Sequence, residues 1–298
     1  MSLGSAKFEN CKVLITGASR GIGAALAETL ALAGAGVALL ARDGAKLGEV
    51  AARINGRGGR AVAVVGDVTD SKSLATVVKE AQDALGDIDI LINAAGIQPP
   101  IGLFPDNCLE AWEQAIQVNL MGPVRLIHAV LPGMMARRRG KIINFSGGGA
   151  TAPRPNFSAY AASKAALVRL TETLAVELKP YNIQVNAVAP GAVNTRMLDE
   201  VFAAGEKAGA EYHQAQEQAR NGGTPLELVC ELVRFLASPA SGALTGKLIS
   251  APHDPWREWA GKGNELNATP LYTIRRLDPF TIKPLINDLA EKICRLAS

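Results

Sequence analysis

The sequence predicts an α/β fold, a doubly wound parallel sheet of seven strands with helices on both faces. Three observations carry this. Short apolar runs rich in β-branched residues alternate with longer helical patterns along the whole chain. The strand-like runs are apolar throughout and not alternating, which suits parallel strands buried on both faces. The first run passes directly into a Gly-rich turn and then a helix, the opening of a right-handed crossover.

The elements follow in order. Residues 12–16 (Lys12-Val13-Leu14-Ile15-Thr16) form the first strand, and Ala24 through Ala31 carry the helical periodicity of a segment over 22–34. Further strands are expected at 36–41, 61–65, 88–92, 141–146 and 183–188, with a last one near 244–250. Helical patterns at 43–56, 71–85, 108–136, 158–179 and 225–237 separate them. The last helix opens Thr224-Pro225, read as an N-cap followed by proline at the first helical position. No repeat or low-complexity linker interrupts the series. One domain over 1–298 is expected, with a core of about 10–250 and an extension over 251–298.

Composition excludes several classes of function. A net charge of +3 and 20% charged residues give no basic surface for nucleic acid. Arg137-Arg138-Arg139, the densest basic run, reads as the solvated C-terminal end of a helix. Cys11, Cys108, Cys230 and Cys294 lie far apart, as do His128, His213 and His253, so neither disulfides nor a metal site are suggested. No apolar run is long enough to span a membrane, and no leader precedes the first strand, so a cytoplasmic location is expected.

Two segments carry chemistry. Gly17-Ala18-Ser19-Arg20-Gly21-Ile22-Gly23 lies between strand and helix, where glycines let a backbone approach a pyrophosphate seated on the helix N-terminus. Tyr160 and Lys164 are four residues apart in an Ala- and Leu-rich helical stretch, hence on one face. A phenol titrating near pH ~10 is a poor proton shuttle. A neighbouring cation lowers that value and suits it to acid–base work.

With these residues in view, the chain resembles the short-chain dehydrogenase/reductase family, from about residue 10 to 250. Thr16 through Gly23 looks like that family's Thr-Gly-x-x-x-Gly-x-Gly turn, Asp67-Val68 its adenine contact, and Asn93-Ala94-Ala95-Gly96 its Asn-Asn-Ala-Gly with Ala94 substituted. Asn119 matches its catalytic Asn, Tyr160 and Lys164 its Tyr-x-x-x-Lys pair, and Pro190-Gly191 through Val193 and Thr195 its nicotinamide loop. The resemblance implies a Rossmann-type fold and hydride transfer between a nicotinamide cofactor and a small alcohol or carbonyl substrate. It implies cofactor contacts at Gly17, Ser19, Arg20, Gly21, Ile22, Gly23, Asp67, Val68, Asn93, Ala94, Gly96, Tyr160, Lys164, Pro190, Gly191, Val193 and Thr195, to which charge adds Arg42. Asn119, Ser146, Tyr160 and Lys164 are the expected catalytic set, and assembly as a homodimer or homotetramer through the helices at 108–136 and 158–179 is implied as well.

The family's acidic position after the second strand, where NAD is held by its ribose, falls here on Ala41. Arg42 and Arg20 suit a 2′-phosphate, and Asp43 is read as the cap of the next helix, so NADP(H) is expected over NAD(H). The family's serine lies thirteen residues before its tyrosine, which is Gly147 here, with Ser146 one step earlier. A bulge in the Gly147-Gly148-Gly149 run is expected to turn Ser146 inward. Without a bulge Gly147 would face the pocket, and Gly147→Ser would be expected to raise activity. Residues 196–223 are read as a lid over the substrate. Trp256, Trp259, Tyr272 and Phe280 predict that the extension is ordered, while Ala251-Pro252-His253-Asp254 replaces the family's Asp-Gly-Gly and leaves that wall of the pocket open to question. Two rival functions remain: a dinucleotide-binding sensor or scaffold without turnover, and an epimerase or dehydratase acting on a sugar nucleotide.

Overall fold

The computed structural model describes residues 8–276, so Phe280 and Cys294 lie outside the described residues. Seven strands form one parallel sheet: β1 (Lys12–Thr16), β2 (Gly36–Ala41), β3 (Arg60–Val65), β4 (Ile90–Asn93), β5 (Gly140–Phe145), β6 (Ile183–Ala189) and β7 (Leu248–Ser250). Their order is β3-β2-β1-β4-β5-β6-β7, and every pairing is parallel. The order reverses direction between β1 and β4, which opens a crevice at the carboxyl ends of those two strands.

Helices cover both faces, which explains why the strands do not alternate, except β3 at the sheet edge, where Arg60, Ala63 and Val65 are exposed. Val13, Ile15, Val37 and Leu39 pack with α1 (Gly21–Leu32) and α2 (Gly44–Gly56) on one side. Leu14, Ala38, Leu40 and Leu91 pack with α3 (Leu74–Leu85) on the other. Neighbouring strands keep these sets in register, Leu14 opposite both Ala38 and Leu91. No described helix is long and apolar enough to cross a membrane.

The helical pattern expected over 108–136 is not one regular helix. α4 (Leu109–Ile116) widens into a π turn over Gln117–Met121 before α5 (Gly122–Arg137) continues. Pro123 has no N–H for the carbonyl of Asn119, four residues earlier, so the ladder must shift there. The basic run that ends α5 is tied down and not merely solvated: Arg138 donates to Pro180 O and Arg139 to the Asp89 carboxylate. After α6 (Ser158–Glu177), residues 196–223 fold as α7 (Arg196–Ala204) and α8 (Ala210–Asn221). α9 (Leu226–Ala237) begins after Pro225, which itself takes the cap position, and Thr224 forms no cap bond. The last strand is shorter than expected because Gly246, at φ +72°, turns the chain beside β6.

The extension packs as its aromatic residues predict, as far as it is described. Trp256 is fully buried, with its indole N–H donating to Ala251 O, and the Trp259 and Tyr272 rings meet tilted, their centres 4.6 Å apart. α10 (Gly263–Asn267) leads into a segment laid along β7, where Leu248 N donates to Tyr272 O. The buried Lys247 ammonium donates to Thr269 O and Leu271 O, which holds the segment from beneath.

Candidate active site

The crevice at the strand reversal is built first from backbone. Thr16 Oγ1 accepts from both Ala94 N and Ala95 N at 3.0 Å, stitching the ends of β1 and β4 together. Gly17 has φ +68°, and a Cβ there would sit 3.0 Å from Ala95. A Cβ on Gly23 would overlap the Gly17 carbonyl, lying 2.8 Å from its carbon. These glycines bring the turn close over the start of α1. That helix has no acidic residue in its first turn and no side-chain cap, so its N–H groups and positive end face the crevice.

A groove of about 780 Å³ runs along this turn. Gly17, Ser19, Arg20, Gly21, Ile22 and Gly23 form its floor, with Arg42, Asp67 and Val68 at one end and Ala94, Gly96 and Thr195 at the other. Of the other expected cofactor residues, Tyr160, Pro190, Gly191 and Val193 line not this groove but a cavity that continues from it, and Asn93 and Lys164 line neither. Asn93 is buried beneath the groove, its amide donating to Asn144 Oδ1 at 2.9 Å, and ties β4 to β5 without lining the groove. A glycine cradle, an open helix N-terminus and this length fit a dinucleotide.

At the end of β2 the groove meets Ala41, Arg42 and Asp43. Asp43 Oδ1 accepts from Lys46 N at 3.1 Å as the cap of α2, and that bond holds its carboxyl below the usual range. Arg42 is exposed and pairs loosely with Asp67 at 3.8 Å.

A second cavity of about 600 Å³ continues from the groove, with Ile22, Thr195 and Met197 lining both. Tyr160 stands in its wall, with Pro190, Gly191 and Val193 opposite the glycine run that follows β5. The phenol is buried, and desolvation pushes its pKa up to about 12 while the Arg154 guanidinium pulls the other way. Lys164, one turn along α6, donates from Nζ to Phe145 O at 2.7 Å, and burial pushes its pKa down to about 8. Two cations stand near the phenol ring, Lys164 Nζ at 5.5 Å from its centre and the Arg154 guanidinium at 5.0 Å, and motif spacing singled out only the first.

Asn119 is fully buried in the π turn. Its Oδ1 accepts from Ile97 N at 2.9 Å, and its Nδ2 donates to Ile97 O at 2.9 Å and to Ser163 Oγ at 3.1 Å. Gly96 keeps the three groups close: a Cβ there would lie 3.3 Å from Asn119 Oδ1 and 3.6 Å from Lys164 Nζ.

Ser146 corrects an expectation. The ladder of β5 runs on regularly, with Phe145 opposite Val188 and Ser146 N donating to Val188 O, so no bulge turns the side chain. Ser146 Oγ is buried with no partner and lines neither cavity. Gly147 is the residue that faces the Tyr160 hydroxyl: a Cβ added to it would overlap that oxygen and sit 3.0 Å from Cζ. Strand alternation is the physical reason, since a one-residue slip exchanges faces.

Residues 196–223 do lie over the cavity. Met197, Leu198 and Val201 of α7 and Glu211, Gln214 and Gln218 of α8 line it. His253, Asp254 and Tyr272 close the wall that the altered segment after β7 put in question, and Asp254 Oδ2 accepts from Ser250 N at 2.6 Å. Sequence reasoning missed the polar residues of this wall. Arg154 forms a forked ion pair with Glu211. With the Gln98 amide oriented as its neighbours require, its oxygen accepts from Arg154 Nη2 at 3.2 Å and its nitrogen donates to Met197 O at 2.8 Å. Glu200, raised by burial, accepts from Gln98 N at 3.1 Å. The only sequence signal for Arg154 is a charge set between Pro153 and Pro155 in an otherwise uncharged loop.

A groove for a dinucleotide joined to a cavity with a buried phenol can hold a redox cofactor against a small substrate and move one proton. Known proteins agree at that level. A family model of the short chain dehydrogenases matches residues 12–206. The short-chain reductase protein NovJ of Streptomyces niveus is 38% identical over 79% of this chain and 90% of its own length. The oxidoreductase UcpA of Escherichia coli K12 is 40% identical over 80% of this chain and 92% of its own. Among solved structures, a gluconate 5-dehydrogenase from Burkholderia cenocepacia in complex with NADP and tartrate superposes with a TM-score of 0.74. It is 31% identical and is matched over 84% of this chain and 96% of its own. An NAD+-bound xylitol dehydrogenase superposes at 0.76, with 29% identity over 82% of this chain and 98% of its own. Sheet order, glycine cradle and sequence similarity together establish that this chain belongs to the short-chain dehydrogenase family of oxidoreductases.

Proposed function

We propose that the protein is an NADP(H)-dependent oxidoreductase that interconverts a secondary alcohol and a carbonyl, with Tyr160 as general acid and base. The observation that carries this reading is the Tyr160 side chain in the wall of a cavity that opens onto the cofactor groove, with Lys164 one helical turn away. When bound, the dinucleotide supplies the hydride. Backbone N–H groups at the start of α1 would hold its pyrophosphate, and Lys164 would hold the nicotinamide ribose. In reduction Tyr160 gives its proton to the carbonyl oxygen, and in oxidation it takes the hydroxyl proton back. A phenol held near 12 by burial needs a cation beside it to do this at neutral pH. Asn119 pins the loop after β4, which fixes Gly96 beside Lys164.

The preference for NADP(H) is supported by charge. Ala41 offers no carboxylate to the ribose hydroxyls, whereas Arg20 and Arg42 line the groove beside it and suit a 2′-phosphate. NADPH should bind at least about tenfold tighter than NADH, or ~1.4 kcal/mol. Calorimetry tests this directly: Arg42→Asp is expected to erase or reverse the preference, and equal affinities in the unaltered protein would end it.

The test of the reaction is a panel of carbonyls and alcohols followed by nicotinamide absorbance with both cofactors. Tyr160→Phe is expected to lose turnover and keep cofactor binding, whereas Lys164→Ala loses both. A second reading, a dinucleotide-binding sensor without turnover, is favoured by one observation, the absence of a side chain at Gly147. A wild-type protein inert across the panel would move the function there, whereas unchanged turnover in Tyr160→Phe would take the proton transfer away from Tyr160.

A further inference from the structure

Proton transfer to a carbonyl is faster when a second donor shares the developing negative charge. Gly147, the residue facing the Tyr160 hydroxyl, has nothing to donate, and the Ser146 hydroxyl is buried outside the cavity. The loop that follows places another group there. Pro153 and Pro155 flank Arg154, whose stem runs past Gly148, 3.6 Å from where a Cβ would be. Its guanidinium stacks 3.9 Å over the Phe157 ring and stands 5.0 Å from the centre of the Tyr160 ring. Nε and Nη2 are taken up by Glu211, and Nη2 also by Gln98. Among the described residues no hydrogen bond engages Nη1 of this cavity-lining side chain.

We propose that Arg154 is a catalytic residue of this enzyme: its free Nη1 donates to the substrate oxygen beside Tyr160, in place of a hydroxyl at position 147, and Glu211 locks it in that pose. The proposal rests on the reading of Tyr160 as proton donor. It also gives the Glu211 pair a purpose. A guanidinium forked by a carboxylate is pre-aligned, so little side-chain freedom is lost when the substrate arrives. The phenol then feels charged groups from four elements. Lys164 lies on its own helix with Nζ 5.5 Å from the ring centre, Arg154 in the loop after β5, Glu200 on α7 and Glu211 on α8, while His253 and Asp254 line the same cavity.

The test uses the full chain, NADPH and the dicarbonyl 9,10-phenanthrenequinone as probe, with alcohols active in the panel for the reverse direction. Arg154→Met should lower kcat/KM by about 10²–10³, the cost of one lost oxyanion donor, with the NADPH Kd unchanged. Guanidinium ion at millimolar concentration should restore part of the activity of Arg154→Ala. The rising limb of the oxidation pH profile should move up in Arg154→Met and down in Glu211→Gln, opposite shifts that a merely structural ion pair would not give. Wild-type kcat/KM in Arg154→Met, with Tyr160→Phe inactive, overturns the proposal and leaves the parent reading standing. If Arg154→Met fails to fold, wild-type kcat/KM in Arg154→Gln, or an unshifted pH profile in Glu211→Gln, overturns it instead. Turnover in Tyr160→Phe, or a wild-type protein that reduces nothing, overturns both.

Discussion

Restoring a serine at position 147 should damage this protein. The backbone is no obstacle, because Gly147 lies outside the left-handed region that excludes side chains. Space is the obstacle. A Cβ on Gly147 would overlap the Tyr160 hydroxyl and crowd Cζ at 3.0 Å and Cε1 at 3.2 Å. The ring cannot retreat freely, since Phe157, Val201, Ala208 and Ala215 pack with it and Arg154 stands over its face. Overpacking of this kind costs about 1–3 kcal/mol. Displacing a reacting hydroxyl by about 1 Å costs up to ~10²-fold in rate. Gly147→Ser is therefore expected to lose about 1–3 kcal/mol in urea unfolding followed by circular dichroism. Its kcat/KM should fall at least about tenfold, by the same misplacement. Gly147→Ala, which brings the clash without the hydroxyl, should be impaired to the same degree. This reverses the expectation that an inward-facing Gly147 would welcome a serine. A Gly147→Ser protein as stable as the original and more active would show that the phenol has room to move, and would refute the reasoning.

Other outcomes follow from groups already placed. Ser146→Ala removes a buried hydroxyl that has no partner, so activity should be unchanged and stability should rise, by up to about 1 kcal/mol; a large loss of turnover would return Ser146 to the chemistry. Burial pushes Lys141, Lys164 and Lys247 each down to about 8 from 10.5. Between pH 8 and 9 the unfolded chain then binds more protons than the native one, so stability should rise with pH until Cys11, raised from 9.0 to about 11, opposes it. Urea midpoints at pH 8 and 9 measure this, and Lys141→Met should flatten the rise; a midpoint that falls would contradict it. Leu109 and Val176 are exposed apolar residues on α4 and α6, which supports association through those helices. Light scattering at micromolar concentration should give a dimer or tetramer, and a monomer would refute it.

The strands and the glycine turn are legible in the sequence because both are local. Val13-Leu14-Ile15 is apolar on both faces whatever its partners, and Gly17, Gly21 and Gly23 advertise a turn by spacing alone. Asp43 could be assigned to a helix cap for the same reason. Tyr160 and Lys164 share a face by helical geometry, and no knowledge of the fold was needed. What sequence could not supply depends on contacts between distant segments. Arg154 meets Glu211 across 57 positions and Gln98 across a different loop, and no period encodes either pairing. The orientation of Ser146 required knowing that β5 continues its ladder with β6 through Val188. The break in the helix at Asn119 had a local cause, Pro123, but apolar periodicity on both sides concealed it.

The amide of Asn119 has a consequence for how tolerant this chain is of change. One side chain donates twice and accepts once, joining the loop at Ile97 to the helix at Ser163 from inside a widened turn. Aspartate has the same outline but sets acceptor against acceptor at Ile97 O and withdraws the donor from Ser163. Glutamine carries the right atoms one methylene too far. Leucine fills the volume and strands the Ile97 peptide without partners, at about 1–3 kcal/mol for each buried group. Random mutagenesis should therefore return this codon almost unaltered under selection for folding alone, before any selection for turnover. Inactive variants at Asn119 would report a loop cut loose from its anchor, and only those that keep full cofactor affinity would speak for a part in proton transfer.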